Sequence, residues 1–208
     1  MYAEVNPKSE EKVLLKHAII LESAPGGGKD HVCRLVEQHF YVVNMKRLLL
    51  RHYPDLSAIT KIGKLANDDL VLNVLNGHLD EVIRSGNTKT GLILNGVPRT
   101  TNQAFGVMDK LWSIFNREHR VATVHLKVDP EVATLRQLTR KEEEEQRDDK
   151  DPEVIKERMI IYEENSRGVK VHLMRHTKWY DIDANQSKES VRANFNDVVR
   201  EERERLGV

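Results

Sequence analysis

The stretch Glu22-Ser23-Ala24-Pro25-Gly26-Gly27-Gly28-Lys29 lies between an apolar run at 18–21 and a segment, 32–39, in which apolar residues recur at helical spacing. This order predicts a strand, a glycine-rich turn and a helix. In a phosphate-binding loop of that arrangement, backbone N–H groups surround phosphate oxygens and a lysine neutralises them. We therefore predict an anion site in which Lys29 contacts terminal phosphates, although Ser23 takes the place of the usual first glycine. The alternative is a glycine-rich surface turn with an ordinary exposed lysine.

The residues inside this loop have distinct expected roles. Gly26 and Gly28 allow the backbone to approach an anion closely, and Pro25 fixes the entry to the turn. Asp30 follows the lysine where such a loop continues with glycine or a hydroxyl residue, and its charge would stabilise the helix dipole but repel a triphosphate. The residues predicted to bind the phosphorylated ligand are Pro25, Gly26, Gly27, Gly28, Lys29, Asp30 and His31.

Composition bounds the class of protein. A chain of 208 residues with 39% hydrophobic residues can form one packed core, so we predict a single domain over 1–208. The net charge is +0, which argues against general nucleic-acid binding. One cysteine, Cys33, excludes an intramolecular disulfide and suits a reducing compartment. Without a signal peptide or a membrane-spanning run, we expect a monomeric, cytoplasmic protein that binds no membrane.

Short apolar runs alternate with longer amphipathic segments along the chain. We predict strands at 18–21, 40–43, 92–94, 121–128 and 179–182. Strands separated by helical segments form parallel sheets. The predicted fold class is therefore α/β, with a five-stranded parallel sheet flanked by helices.

Proline, glycine and capping residues mark the predicted helices. We expect further helices to begin near Asp68, Pro130, Pro152 and Ser187. The helix that begins near Asp68 should stop at Gly86. The segment 141–151 contains almost no apolar side chain, so we expect an excursion there that does not pack on the core.

A second motif follows the third predicted strand, Gly91-Leu92-Ile93-Leu94-Asn95-Gly96-Val97-Pro98-Arg99-Thr100-Thr101-Asn102-Gln103. It resembles the signature of the adenylate kinase family of nucleoside monophosphate kinases. In that signature three apolar residues precede Asp-Gly-aromatic-Pro-Arg, and an amide follows four residues after the arginine. Gly96, Arg99 and Gln103 match, whereas Asn95 replaces the aspartate.

Further similarities to the family extend along the chain. Arg136 and Arg140 lie one helical turn apart after a strand end that resembles the family's fourth. Arg147 begins a segment that resembles the lid of short-lid members, and Arg158 follows it at the family's interval. The resemblance implies a P-loop NTPase-type sheet in the order 2-3-1-4-5, a monophosphate-binding region at 44–86 and a short lid at 141–151.

The resemblance also implies a chemistry, the transfer of the ATP γ-phosphate to a nucleoside monophosphate, with AMP the expected acceptor and Mg²⁺ required. Lys29 would contact the donor phosphates. Arg99 and Arg158 would hold the acceptor phosphate, and Gln103 the acceptor base. The remaining implied contacts are Gly96 and, more weakly, Arg51 on the acceptor side, and Arg136, Arg140 and Arg147 on the lid side.

The metal site and two other functions remain open. The family's acid at position 95 organises Mg²⁺ through its water shell, and Asn95 contributes no charge there. We therefore assign no metal ligand. The first alternative is a nucleotide-binding or scaffold domain that has lost turnover because of Asp30 and Asn95, and such a domain would act through a protein partner. The second is a kinase of another small molecule, for which the short segment 51–63 would form a different acceptor pocket.

Overall fold

The computed structural model describes residues 15–34, 36–86, 89–115, 118–139 and 151–208, with the backbone alone for 59–61 and 118. Within these ranges the chain forms a five-stranded parallel sheet in the order β2-β3-β1-β4-β5. The strands are β1 (His17–Glu22), β2 (Phe40–Asn44), β3 (Gly91–Asn95), β4 (Val121–Lys127) and β5 (Lys178–Asp183). The predicted fold class and strand order are confirmed.

Helices connect the strands and cover the sheet. They are α1 (Lys29–Arg34), α2 (Met45–His52), α3 (Leu56–Lys61), α4 (Asp68–Arg84), α5 (Thr101–Phe115), α6 (Pro130–Leu138), α7 (Pro152–His176) and α8 (Lys188–Leu206). A single 3-10 turn, Glu118–Arg120, precedes β4. Within the described ranges, no helix has both the length and the apolar character needed to cross a membrane.

Strand residues alternate between two cores. Ile20 and Leu94 belong to the core that α4, α5 and α7 cover. Ile19 and Ile93 belong to the opposite core, which α1 and α8 close with residues such as Phe195. Because successive side chains of a strand point to opposite faces, both faces of a covered parallel sheet must be apolar. This explains why the strands read as continuous apolar runs.

Local signals set the ends of several helices. The Asn67 side chain caps α4, and Gly86 with a φ of 75° follows its last turn. Ser187 caps α8 in the same way, and Asp151 caps α7 ahead of Pro152. A capping side chain satisfies a backbone N–H that the first turn leaves without a partner. The predicted starts near Pro130, Pro152 and Ser187 and the stop at Gly86 are therefore confirmed.

The first helix is shorter than predicted. Helical spacing indicated a helix across 32–39, but α1 ends at Arg34 and residues 36–39 form a turn. The Val36 carbonyl accepts from the N–H groups of His39 and Phe40, both at 2.9 Å, and these bonds close a turn that leads into β2. Val36 and Phe40 are both buried, so their spacing reflects a turn that packs on the sheet. The predicted fourth strand also ends one residue early, at Lys127.

The strand register brings polar residues together at one edge of the sheet. Asn44 at the end of β2 lies opposite Asn95 at the end of β3, and Glu22 at the end of β1 lies opposite His125. The carboxyl ends of parallel strands share one edge, where ligands bind in open α/β sheets. The glycine-rich loop follows β1 and therefore starts at this edge.

Candidate nucleotide-binding site

A cavity opens at the carboxyl edge of the sheet. Its wall combines the glycine-rich loop with the ends of β2 and β3, the start of α2, the loop at 63–66 and the inward face of α7. The wall therefore contains residues from both of the motifs recognised in the sequence. A ligand in this cavity would contact both at once.

The glycine-rich loop is shaped by close contacts among its small residues. Gly26 and Gly28 have φ angles of 87° and 90°, which side chains other than glycine rarely adopt. A Cβ atom on Gly27 would overlap the Ser23 hydroxyl, which fills that space. A Cβ atom on Gly26 would overlap the backbone carbonyl of Ala133 in α6. The serine that replaces the usual first glycine thus requires a glycine at position 27.

Lys29 folds back across this loop. Its Nζ donates to the carbonyl oxygen of Ser23 at 2.7 Å and to that of Ala24 at 3.2 Å. The side chain still lines the cavity. The lysine therefore lies along the loop, where it can exchange a carbonyl partner for a phosphate oxygen.

Asp30 does not turn away from the site. Its Oδ1 accepts a hydrogen bond from Asn95 Nδ2 at 2.6 Å and another from Asn44 Nδ2 at 3.3 Å. Its side chain lines the same cavity as Lys29. Burial, and after it the negative charge of Asp30, raises the pKa of the neighbouring Cys33 to about 12. Cys33 is therefore a buried thiol at neutral pH, as expected for a packing residue.

Gln103 and Arg99 form the second part of the wall. Gln103 is buried, and its Oε1 accepts from the Arg99 backbone N–H at 2.8 Å. Its Nε2 donates to Asp68 Oδ1 at 2.8 Å, while Thr100 donates to the other oxygen of Asp68 at the same distance. Since a carboxylate only accepts, Asp68 fixes which end of the Gln103 amide faces it. Arg99 is exposed, and its Nε donates to the Gly96 carbonyl at 3.0 Å.

The third part of the wall is the inward face of α7. Arg158 and Tyr162 lie one turn apart there, and both line the cavity. A Cβ atom on Gly63 would lie 3.3 Å from Arg158 Cγ, so the loop after α3 packs closely on this helix. The side chain of Arg158 therefore lies between α7 and the 44–86 region.

A buried carboxylate connects this helix to the sheet. Glu22 is 6% exposed, and its Oε2 lies 3.2 Å from His125 Nε2 and 4.0 Å from Lys170 Nζ. Tyr162 forms a hydrogen bond to Glu22, and burial followed by the charge of Glu22 raises the pKa of Tyr162. His125 in turn contacts Asp181 of β5 at 2.7 Å. Glu22 thus links β1, β4 and α7 at the cavity wall.

The structure brings together most of the described residues that the sequence singled out. The predicted site residues that line the cavity are Pro25, Gly26, Gly27, Gly28, Lys29, Asp30, Gly96, Arg99, Gln103 and Arg158. Arg51, His31 and Arg136 are not among the lining residues, and His31 contacts the start of α8 at Lys188. Arg140 and Arg147 lie outside the described residues, as does the predicted lid apart from Asp151.

Sequence reasoning missed several polar residues of the wall and its support, including the cavity-lining Lys46 and Lys64. Asn44 and Glu22 line the cavity, Gln137 of α6 donates to the Pro25 carbonyl at 3.3 Å, and Asp68 holds Gln103. Asn44 and Glu22 both end a strand, so their position at the carboxyl edge was a usable signal. Gln137 and Asp68 depend on packing between helices, for which the sequence carried no comparable signal.

Curated proteins similar to this chain include three bacterial adenylate kinases. Adenylate kinase 1 of Synechocystis sp. is 30% identical over 191 residues, which cover 88% of this chain and 96% of that protein. The adenylate kinase of Cyanothece sp. is 30% identical over 87% of this chain and 94% of its own, and that of Rhodopirellula baltica is 29% identical over 85% and 92%. No protein-family model matches the chain. These relatives cover 85 to 88% of this chain, and the chain belongs to the adenylate kinase family.

Proposed function

We propose that this protein transfers the γ-phosphate of ATP to AMP, with Mg²⁺ bound to the donor nucleotide. One observation carries the proposal: Lys29 of the glycine-rich loop lines the same cavity as Arg99 and Arg158. Phosphoryl transfer needs two polyanions held in line and close together. A single cavity with cations from three separate elements suits two phosphorylated ligands whose phosphate groups lie close together.

The donor phosphates belong at the glycine-rich loop. Lys29 already donates to two loop carbonyls, so its ammonium lies beside the loop backbone at which the phosphate oxygens would bind. Gly26 and Gly28 leave no side chain between the loop and a ligand. Arg136, Arg140 and Arg147 are proposed to approach the donor from the lid side, with the short lid at 141–151.

The acceptor belongs between 44–86 and α7. Arg99 and Arg158 would bind its phosphate, with Gly96 beside it and Arg51 in a supporting role. Gln103 would bind the base. An amide carries two N–H donors and two lone pairs, and the bonds to Asp68 and Arg99 use one of each. The remaining donor and acceptor complement N1 and the N6 amino group of adenine.

Mg²⁺ fits the chemistry of this cavity. A carboxylate, that of Asp30, lies beside the loop lysine, and Mg²⁺ prefers hard oxygen ligands. Among the described residues no group of three or more His, Cys, Asp or Glu could hold a metal ion. That finding agrees with Mg²⁺ sites that use substrate phosphates and water besides one or two carboxylates. When bound, the ion neutralises negative charge on the terminal phosphates.

The experiment is a coupled assay with Mg²⁺·ATP and separate AMP, dAMP, GMP, CMP and UMP acceptors. We expect AMP to give the highest kcat/KM, roughly tenfold or more above the pyrimidine acceptors. Lys29→Met should lower kcat by roughly a hundredfold or more, because a cation aimed at the transferred group is lost. Lys156→Met, on the exposed side of α7, is the matched control and should keep wild-type kinetics. Absence of transfer to all five acceptors contradicts the proposal.

A further inference from the structure

Three polar side chains from three elements meet at the inner end of the cavity. Asp30 comes from the first turn of α1, Asn44 from the end of β2 and Asn95 from the end of β3. Both amides donate to the same carboxylate oxygen, at 3.3 Å and 2.6 Å. Asn95 is 5% exposed and lies within the sheet edge, so its amide is a rigid support. The carboxylate is therefore held in place from two sides.

The orientation of the Asn44 amide follows from its two partners. Its Oδ1 accepts from the Arg47 backbone N–H at 3.1 Å and so caps α2. The N–H groups of the same amide must then face the other way, toward Asp30. Asn44 thus connects the first helix of the 44–86 region to the carboxylate beside the phosphate loop.

A carboxylate at position 30 favours an uncharged hydrogen-bond donor at position 95, and Asn95 is such a donor. Two carboxylates at the 2.6 Å separation of Asn95 Nδ2 and Asp30 Oδ1 could not both ionise without strong repulsion. An amide instead donates a hydrogen bond to the charged oxygen. The contact between positions 30 and 95 therefore keeps one negative charge, which lies on Asp30.

We propose that Asp30 holds the Mg²⁺ of the donor nucleotide, directly or through a bound water, and that Asn44 and Asn95 position its carboxylate. This inference rests on the proposed function. Asp30 directly follows the lysine of the phosphate loop, where many P-loop proteins carry the hydroxyl residue that binds Mg²⁺. It also lines the cavity beside that lysine, which places a hard oxygen next to the expected phosphates. The family signature has its acidic residue at position 95, whereas this chain has an acid at position 30 and an amide at position 95. The site therefore still contains a carboxylate.

The test measures metal-dependent nucleotide binding without turnover. Calorimetry would give the affinity for a non-hydrolysable ATP analogue with and without Mg²⁺, and Mn²⁺ electron paramagnetic resonance would report the bound metal directly. The variants are Asp30→Asn, which keeps the side-chain shape, and Asp30→Asn/Asn95→Asp, which places the acid on β3. Asp109→Asn, at an exposed position of α5, is the matched control. Thermal unfolding would verify that each variant is folded.

The expected result is specific to the metal. Asp30→Asn should weaken binding of the Mg²⁺ complex by roughly tenfold or more, while binding of the metal-free analogue is unchanged or tighter. The exchanged double variant should recover most of the metal effect. Equal metal effects in wild type and Asp30→Asn would overturn the inference and leave the proposed function standing. A folded wild-type protein that binds the analogue in neither condition would contradict the proposed function, and the inference with it.

Discussion

Ser23 and Gly27 occupy adjoining space in the glycine-rich loop. The Ser23 hydroxyl is buried where a Cβ atom of residue 27 would otherwise lie. A serine at this position reads from sequence as a weakened phosphate loop, yet it is accommodated by Gly27, the second of three consecutive glycines. Ser23, which looks unusual by itself, is thus explained by its contact with Gly27.

This pairing predicts a compensating effect on stability. Gly27→Ala should lower the free energy of unfolding by about 1 to 3 kcal/mol, because the added methyl group overlaps Ser23 in a packed loop. Ser23→Gly/Gly27→Ala should recover most of that loss. Gly77→Ala, in the middle of α4 with open space around its Cβ position, is the control and should stabilise by about 0.5 to 1 kcal/mol. Equal losses in the Gly27→Ala single variant and the double variant, measured by urea unfolding, would show that Ser23 is not the obstacle.

Sequence predicted which residues line the cavity better than how they are arranged. The loop and the Arg99–Gln103 motif could be found because each is local in sequence. The direction of the Asp30 side chain could not, because its partners lie 14 and 65 residues away along the chain. For the same reason the contact between Asp30 and Asn95 was not predicted, and each residue was interpreted as an independent departure from the family's motifs.

At the scale of elements, Glu22 is the point where β1, β4 and α7 meet. Its carboxylate contacts His125 and Lys170 and accepts from Tyr162, and both Glu22 and Tyr162 line the cavity. Arg158 lies one turn before Tyr162 on α7, so the same contact sets the position of that helix over the site. A buried carboxylate is tolerated here because the His125 ring and the Lys170 ammonium lie within 4.0 Å of it.

The Glu22 cluster predicts non-additive stability changes. Glu22→Leu should lower the free energy of unfolding by about 1 to 3 kcal/mol, because the half-buried Tyr162 hydroxyl loses its acceptor. Adding Tyr162→Phe should cost little more, or recover part of the loss, because both partners are then apolar. The measurement is a double-mutant cycle by urea unfolding. Strictly additive losses would mean that the two side chains do not interact in solution.

The elements themselves differ in how well sequence predicts them. The central strands β1, β3 and β4 were found because they are buried almost throughout and read as apolar runs, whereas β5 is largely exposed or half-buried. The first helix was predicted too long, because Val32 and Val36 keep a helical spacing although Val36 packs on the sheet from a turn. Periodicity reports burial at regular intervals, and a turn that packs on a sheet can reproduce it.

At the scale of the whole molecule, the cavity and a buried histidine lie at opposite ends of the sheet. The cavity lies at the carboxyl ends of the strands, whereas His17 begins β1 at the opposite end. His17 is 1% exposed, and within the described chain neither of its ring nitrogens has a hydrogen-bond partner. Burial lowers its pKa from 6.5 to about 4. The fold therefore keeps this imidazole neutral.

That buried imidazole predicts an acid-dependent loss of stability. Between pH 6.5 and 4 the unfolded chain binds a proton at position 17 that the folded chain does not, so stability falls as the pH falls through this window, by roughly 3 kcal/mol at its lower end. His17→Leu should therefore lose less stability than wild type between pH 7 and pH 4.5, as measured by urea unfolding. His39→Leu, at an exposed position, is the control. The same pH dependence in wild type and His17→Leu would contradict a neutral buried His17.

The most direct measurement of the central claim starts from ADP alone. A phosphotransferase that binds a donor and an acceptor in one cavity must also run in reverse, so ADP and Mg²⁺ should yield ATP and AMP, which ³¹P nuclear magnetic resonance resolves without coupling enzymes. We predict that wild type brings the three nucleotides to equilibrium and that Lys29→Met does so far more slowly. Unchanged ADP in the presence of folded wild-type protein and Mg²⁺ would contradict the account.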